Sequence, residues 1–218
     1  MSSCQYKYRY IILLRHGEAE KNLEDRHGGI GTVLTNKGRG QAVAFCQWLA
    51  SSGIRIDSAW YSEQPQVKET VKIINEAHPI DFSSHMFLKQ LSLGKLAGLS
   101  RAEAARLYPV EAKQMEDWRQ GKLEVQDLKL PGGDDPIEFY NTGIAFYNNV
   151  LCKTSGSKLI VTSRSVLILM ASILLERRPV SGGGYVEIPM NPCDRFVFKK
   201  VGDKWEFVKD LSTVALIR

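Results

Sequence analysis

The residues most able to do chemistry stand together at the end of an apolar run. Arg15, His16, Gly17 and Glu18 follow Tyr10-Ile-Ile-Leu-Leu14 without interruption. A guanidinium beside an imidazole at the tip of a buried strand, with backbone donors around it, can hold an anionic ligand. A second apolar run, Lys158–Thr162, ends in Ser163-Arg164-Ser165 and offers another cation at a strand end. His27, in the glycine-rich stretch after the first motif, is a candidate to approach the same place. His78 reads as a helix end and His85 as a surface position. Cys4, Cys46, Cys152 and Cys193 are widely spaced with no C-x-x-C pattern, so neither a metal centre nor a disulfide framework is expected. Cys46 and Cys152, lying in apolar helical patterns, read as reduced core residues. No cofactor is implied.

The elements that must position these residues follow from hydrophobic period. Tyr10–Leu14 is short, apolar throughout and β-branched at its start, as expected of a strand covered on both faces. A polar, glycine-rich loop follows, and then Thr35 caps a helix with Ala42, Phe45, Cys46 and Leu49 on one face and Gly53 as its stop. Ser58–Tyr61 reads as a strand. Pro65 opens a helix that buries Val67, Thr70, Val71 and Ile74. From about residue 80 to 130 the pattern turns polar and helical, with the capping box Ser100-Arg-Ala-Glu103, and reads as an inserted cap. Asp134 or Asp135 caps a helix from Pro136 whose face is Ile137, Tyr140, Ile144, Tyr147 and Leu151. After the helix Val166–Leu175 come a turn at Gly182–Gly184 and strands at Val186–Ile188, Phe196–Phe198 and Trp205–Val208, the last two joined at Gly202-Asp203. Such alternation predicts an α/β fold: a doubly wound, mostly parallel sheet flanked by helices, one domain over 1–218 with a small helical cap insertion. Ligands of such sheets sit beyond the carboxyl ends of the strands, where Arg15-His16 and Ser163-Arg164 fall.

With 218 residues, 44% hydrophobic and 24% charged, the chain can bury a real core. The formal charge of +5 is not gathered into a basic block, so nucleic acid is not an expected partner. No run is long enough for a signal-peptide core or a membrane span, and a cytoplasmic protein without a membrane partner is expected. An apolar late strand or helix leaves a homodimer open.

Several motifs together resemble the histidine phosphatase superfamily, the phosphoglycerate-mutase-like fold. They are Arg15-His16-Gly17-Glu18 with Asn22 behind it and Leu34-Thr35-x-x-Gly38-x-x-Gln41-Ala42. Tyr61-Ser62 through Thr70, Gly94-x-x-x-Gly98, Pro131-Gly-Gly and Ile188-Pro-x-Asn191 extend the likeness over most of the chain. The resemblance implies a histidine that attacks phosphorus, two arginines and a second histidine around the phosphoryl oxygens, and a carboxylic acid that protonates the leaving oxygen. His16 matches the nucleophile and Arg15 the first arginine. Glu18 matches the family's structural carboxylate and is the residue at hand to replace a missing acid.

Three matches fail. Gln66 stands where the second arginine is expected, Gln90 where the acid is expected, and Ser163-Arg164 where a histidine and a glycine are expected. A glutamine lacks the charged fork that suits phosphate and cannot release a proton at neutral pH. General acid help, typically about 10²–10⁴-fold, is then missing. The sequence therefore predicts a degenerate histidine-phosphatase-like pseudoenzyme that keeps an anion site at Arg15 and His16 and lacks ordinary phosphatase or mutase turnover. The expected ligand is a phosphorylated or carboxylated small molecule held by Arg15, His16, Asn22, His27, Gln66, Gln90, Ser163 and Arg164. One alternative is an enzyme of altered mechanism acting on such a molecule in the same pocket, with His16, Arg15 and Glu18 as its catalytic residues. A second is an active phosphomonoester phosphatase.

Overall fold

A computed structural model describes residues 9–24, 26–29, 31–120, 122–123, 127–176 and 190–213. The turn expected at Gly182–Gly184 and the strand expected at Val186–Ile188 lie outside these, as does Cys4. Among the described residues the strands are β1 (Tyr10–Arg15), β2 (Ser58–Tyr61), β3 (Phe82–Ser84), β4 (Lys158–Thr162), β5 (Arg195–Val201) and β6 (Lys204–Phe207). They form one sheet in the order β3-β2-β4-β1-β5-β6. The first four are parallel, and β5 and β6 join antiparallel at the β1 edge.

The side-chain period of two along β1 divides the core. Ile11 and Leu13 point to one face, where they pack with α5 (Pro136–Phe146) and α6 (Arg164–Leu174). Ile12 and Leu14 point to the other, against α1 (Asn36–Ser52) and α2 (Pro65–Ala77). Both faces are therefore covered by helices, which is why the run is continuously apolar. A third cluster, built on Leu91, Leu96, Ala104, Met115 and Trp118, gives the polar helices α3 (Arg101–Leu107) and α4 (Pro109–Arg119) a small core of their own.

Local chemistry sets the helix ends as the sequence indicates. Thr35 Oγ1 accepts from the Gly38 N–H at 3.0 Å, Gly53 closes α1 in the left-handed region, and Ser100 and Glu103 cap α3 reciprocally. Asp135 caps α5, while Asp134 accepts from the Ser92 N–H instead.

Elsewhere the structure corrects the pattern reading. Phe82–Ser84, inside the stretch read as helical cap, pairs with β2 and belongs to the sheet. Its three residues are too few to show a period. The helical period from Pro136 does not run to Leu151: α5 stops at Phe146 and a π-turn spans Tyr147–Leu151. Ile137 is exposed, and Pro136, Gly143 and Phe146 are the buried members of α5. Gly143 lets α6 approach closely, since a Cβ there would meet Leu169 Cδ2 at 2.9 Å. Cys46 is buried as expected, whereas Cys152 is exposed at the end of the π-turn. His85 is not a surface residue. It is half-buried, with ring centroids 5.0 Å from Phe87 and 4.7 Å from Phe146.

The strand tips are tied to the helices by polar contacts. Thr70, fully buried on α2, accepts from the Gly17 N–H at 3.1 Å and donates to the Gln66 carbonyl at 2.8 Å. Thr70→Val keeps the shape and leaves the Gly17 N–H without its acceptor, a loss of about 1–3 kcal/mol for a buried donor. Urea unfolding should show that loss; a change below about 0.5 kcal/mol, the size usual for a surface substitution, would mean the contact does not hold the strand tip.

Candidate active site

Parallel pairing of β1, β2 and β4 brings three chain segments to one end of the sheet. Arg15 lies opposite Thr162, and Tyr61 opposite Val161. The residues just beyond the tips, His16, Ser62 and Ser163, consequently meet there, all buried. The His16 N–H donates to the Thr162 carbonyl at 3.2 Å, and Thr162 Oγ1 links Ser62 Oγ at 3.2 Å with the Leu88 carbonyl at 2.7 Å.

The His16 ring is 2% exposed, and its Nδ1 lies 2.7 Å from the Gly17 carbonyl oxygen. A carbonyl can only accept, so Nδ1 carries the proton and Nε2 keeps its lone pair. Burial, and then the neighbouring Arg15 charge, push the imidazole pKa down to about 3. The ring is thus neutral in the tautomer a nucleophilic nitrogen needs. Arg15 Nη1 donates to the Met190 carbonyl, which fixes the guanidinium beside it.

Arg15 and His16 form one wall of a cavity of about 210 Å³. Asn22, Gln90, Ser163 and Arg164 join them in the lining, so six of the sequence-derived candidates come together. Asn22 Oδ1 accepts from the Ala19 N–H at 2.9 Å, and Ser163 Oγ lies 3.3 Å from Ser165 Oγ. The Arg164 Nε is buried and without a hydrogen-bond partner among the described residues. Gln90 Nε2 donates to the Gly29 carbonyl at 3.0 Å, clasping the loop after the motif.

Three other candidates are placed differently. Glu18 turns away from the cavity, bonded to Thr35 Oγ1 at 2.9 Å and Lys37 Nζ at 2.8 Å, contacts that hold its carboxyl below the usual range. That geometry is a brace between the motif loop and α1, and it leaves the carboxylate outside the cavity lining. His27 is buried outside the lining, and its backbone pairs with Leu99 and Gly98 across the cap at 2.8 Å each. Gln66 is fully buried on the first turn of α2, donating to Gln64 Oε1 at 3.2 Å. Among the described residues its own Oε1 has no donor, and any side chain at Gly31 would strike it.

Two cations join the lining that motif reading passed over, Lys21 and Arg26. Arg26 is exposed and bonds Glu24, Glu103 and the Gly98 carbonyl. Lys21 is half-buried, and burial and then the Arg15 charge push its pKa down to about 8. Its signal in the sequence was only a basic residue one place before Asn22. Among the described residues no Asp or Glu side chain lines the cavity. The arrangement gathers cations around a neutral imidazole and is suited to an anion.

Residues 11–210 match the histidine phosphatase superfamily (branch 1). The chain belongs to that superfamily. The 2,3-bisphosphoglycerate-dependent phosphoglycerate mutase of Caulobacter vibrioides is 32% identical over 128 residues, 57% of this chain and 53% of that protein. The chain thus spans about half the length of the curated relatives it matches. A solved structure of Bacillus stearothermophilus YhfR superposes with a TM-score of 0.78 at 19% identity, covering 94% of this chain and 98% of that one. Mycobacterial glucosyl-3-phosphoglycerate phosphatase, solved with VO3, gives 0.76 at 17% identity, covering 92% and 97%. These superpositions place the histidine phosphatase fold over nearly the whole chain. They bear out the α/β architecture expected from the alternation of strands and helices.

The neutral state of His16 has a consequence for stability. Between about pH 3 and the ordinary histidine value of about 6.5, the unfolded chain binds a proton at this position that the folded chain does not. Stability is therefore highest above pH 6.5 and falls on acidification, by up to about 1.4 kcal/mol per pH unit. Denaturation between pH 7 and 5 measures the slope, and His16→Gln should flatten it by that amount. Parallel slopes for the two proteins would show His16 to be protonated in the folded state.

Proposed function

We propose that this histidine phosphatase superfamily member is an enzyme of altered mechanism that removes a phosphoryl group from a small molecule through His16. The observation that carries the reading is the Nδ1-protonated, neutral imidazole facing a cavity lined by cations and, among the described residues, by no carboxylate. In the first step His16 Nε2 forms a bond to phosphorus as the bond to the leaving oxygen breaks, and that oxygen departs with the electron pair. Water then attacks phosphorus, the P–N bond breaks, and phosphate leaves. Arg15 and Arg164 offset the charge on the phosphoryl oxygens. Asn22, Ser163 and the backbone N–H groups at the start of α6 supply neutral donors to the same oxygens.

The missing partner is a proton donor. Gln90 stands in the cavity with its amide committed to Gly29, and Glu18 is committed to Thr35 and Lys37. With no carboxylic acid in the lining among the described residues, the leaving oxygen departs unprotonated in this reading. Substrates with stable leaving anions, such as acyl or aryl phosphates, are then favoured over alkyl phosphates. The cavity of about 210 Å³ is below the 300 Å³ at which drug-sized sites begin, which points to a compact substrate.

A binding protein without turnover is the second reading, supported by the loss of charge at Gln66, of the acid at Gln90 and of the histidine at Ser163. A series of phosphomonoesters with leaving groups of graded acidity separates the two. The enzyme reading expects His16-dependent hydrolysis whose rate climbs steeply with leaving-group acidity. It also expects Gln90→Glu to raise turnover of the poorest leaving groups by about 10²-fold, the lower range for general acid help. Equal rates for wild type and His16→Ala on every ester, with an ester or product still bound, would select the binding protein.

A further inference from the structure

The cationic lining includes two members that the mechanism above does not use: Arg26, which is paired with Glu24 and Glu103, and Lys21. Lys21 sits in the tight turn Glu20–Asn22, and its backbone is held on both sides. The Lys21 N–H donates to Thr32 Oγ1 at 3.0 Å, the Glu20 N–H to the Val33 carbonyl at 3.2 Å, and Asn22 closes back on Ala19. The turn is thereby laid along the antiparallel contact between Ala19 and Leu34, and its lysine is presented to the cavity beside Arg15 and His16. A surface lysine would extend into water or meet a carboxylate. This one is half-buried, and among the described residues no carboxylate pairs with its ammonium.

We propose that Lys21 is a phosphoryl-binding residue, the ammonium that supplies, from the motif loop, the positive charge absent at Gln66 on α2. The inference rests on the reading of the cavity as an anion site. Gln66 can offer at most amide dipoles, and its amide donor already faces Gln64. Lys21 and Arg15 repel one another while no anion separates them, which is the second cause of the lowered lysine pKa. An anion between them removes that repulsion and strengthens both contacts. An ammonium is a point charge with three rotatable donors, so it can serve from a turn without a fixed angle of approach. Unlike an arginine it also titrates, so binding acquires a basic limit. Among the described residues, the charged or titratable groups lining the cavity with it are Arg15 and His16 from the β1 tip, Arg26 from the following loop and Arg164 from α6. His16 is neutral across the alkaline range, in which Lys21 loses its charge.

Tungstate, a dianion that does not titrate above neutrality, is a suitable probe, with binding followed by calorimetry from pH 7 to 9.5. Wild-type affinity should fall about tenfold or more over that range. Lys21→Met should weaken binding at pH 7 by about 10–100-fold, the worth of one charged hydrogen bond. Lys21→Arg should hold affinity within a few-fold and abolish the alkaline decline. Thermal unfolding of each variant separates a binding loss from misfolding, and the arginine variant keeps the test decisive if the methionine variant does not fold. Lys21→Met binding like wild type, or Lys21→Arg retaining the alkaline decline, overturns the role of Lys21. If Arg15→Met loses tungstate while Lys21→Met does not, the anion site stands and only Lys21 is removed from it. Absence of binding to wild type at any pH overturns the anion site itself, and the inference with it.

Discussion

Where Gly17 and Gly38 approach each other, the chain leaves no room for a side chain on either. A Cβ on Gly17 would lie 2.5 Å from the Gly38 carbonyl oxygen, and one on Gly38 would collide with the backbone of Glu18. The contact presses the loop after β1 onto the first turn of α1, where Thr35 Oγ1 also bonds the Glu18 carboxylate. With the loop pinned, the Gly17 N–H reaches Thr70 on α2 and its carbonyl receives the His16 ring. One steric constraint thus joins two helices and a strand tip, and the imidazole tautomer follows from it. Replacing Glu18 would disturb this brace before it touched any chemistry, which is why its position in the motif says little about proton transfer.

The fold was legible in the sequence because its signals are local and repeated. The apolar β1 run, the Thr35 cap, Pro65 and the capping box at Ser100 each name a physical cause that the structure then uses. The misreadings fall where local pattern and tertiary packing disagree. Ile137 keeps helical spacing with Tyr140 and Ile144, yet α5 packs through Phe146 and Gly143 against Leu169 and Ile173, leaving Ile137 outside. Cys152 follows the same period, but the π-turn at Tyr147–Leu151 rotates it outward. Three-residue β3 is held by pairing with β2 and carries no period of its own.

The site was legible only as far as motif spacing reaches. Arg15, His16, Gln90 and Ser163-Arg164 were located by register, and the structure brings them to one cavity. Lys21 was not, because a lysine in a polar loop has the same local signature whether solvated or turned inward. Its orientation is decided by Thr32 and Asn22, the one eleven residues away. Gln66 shows the converse. Spacing assigns it to a functional position, whereas the structure encloses it between Gln64 and Gly31. A position picked out by motif spacing can be held by the packing around it, a difference that spacing alone does not carry.

Charge balance connects these substitutions. Arg15, Lys21 and Arg164 share a small cavity lined by no carboxylate among the described residues, and Arg26 in the same lining is partnered by Glu24 and Glu103. Burial lowers the pKa values of His16 and Lys21 most, and the Arg15 charge adds a smaller repulsion. A carboxylate at position 90 would relieve it, but would also oppose an incoming anion. Glutamine at that position instead clasps Gly29, keeping the cavity's potential positive and the loop in place. A glutamine there cannot give a proton, yet it adds no negative charge to the lining, so the lack of a carboxylate at position 90 does not by itself remove an anion site.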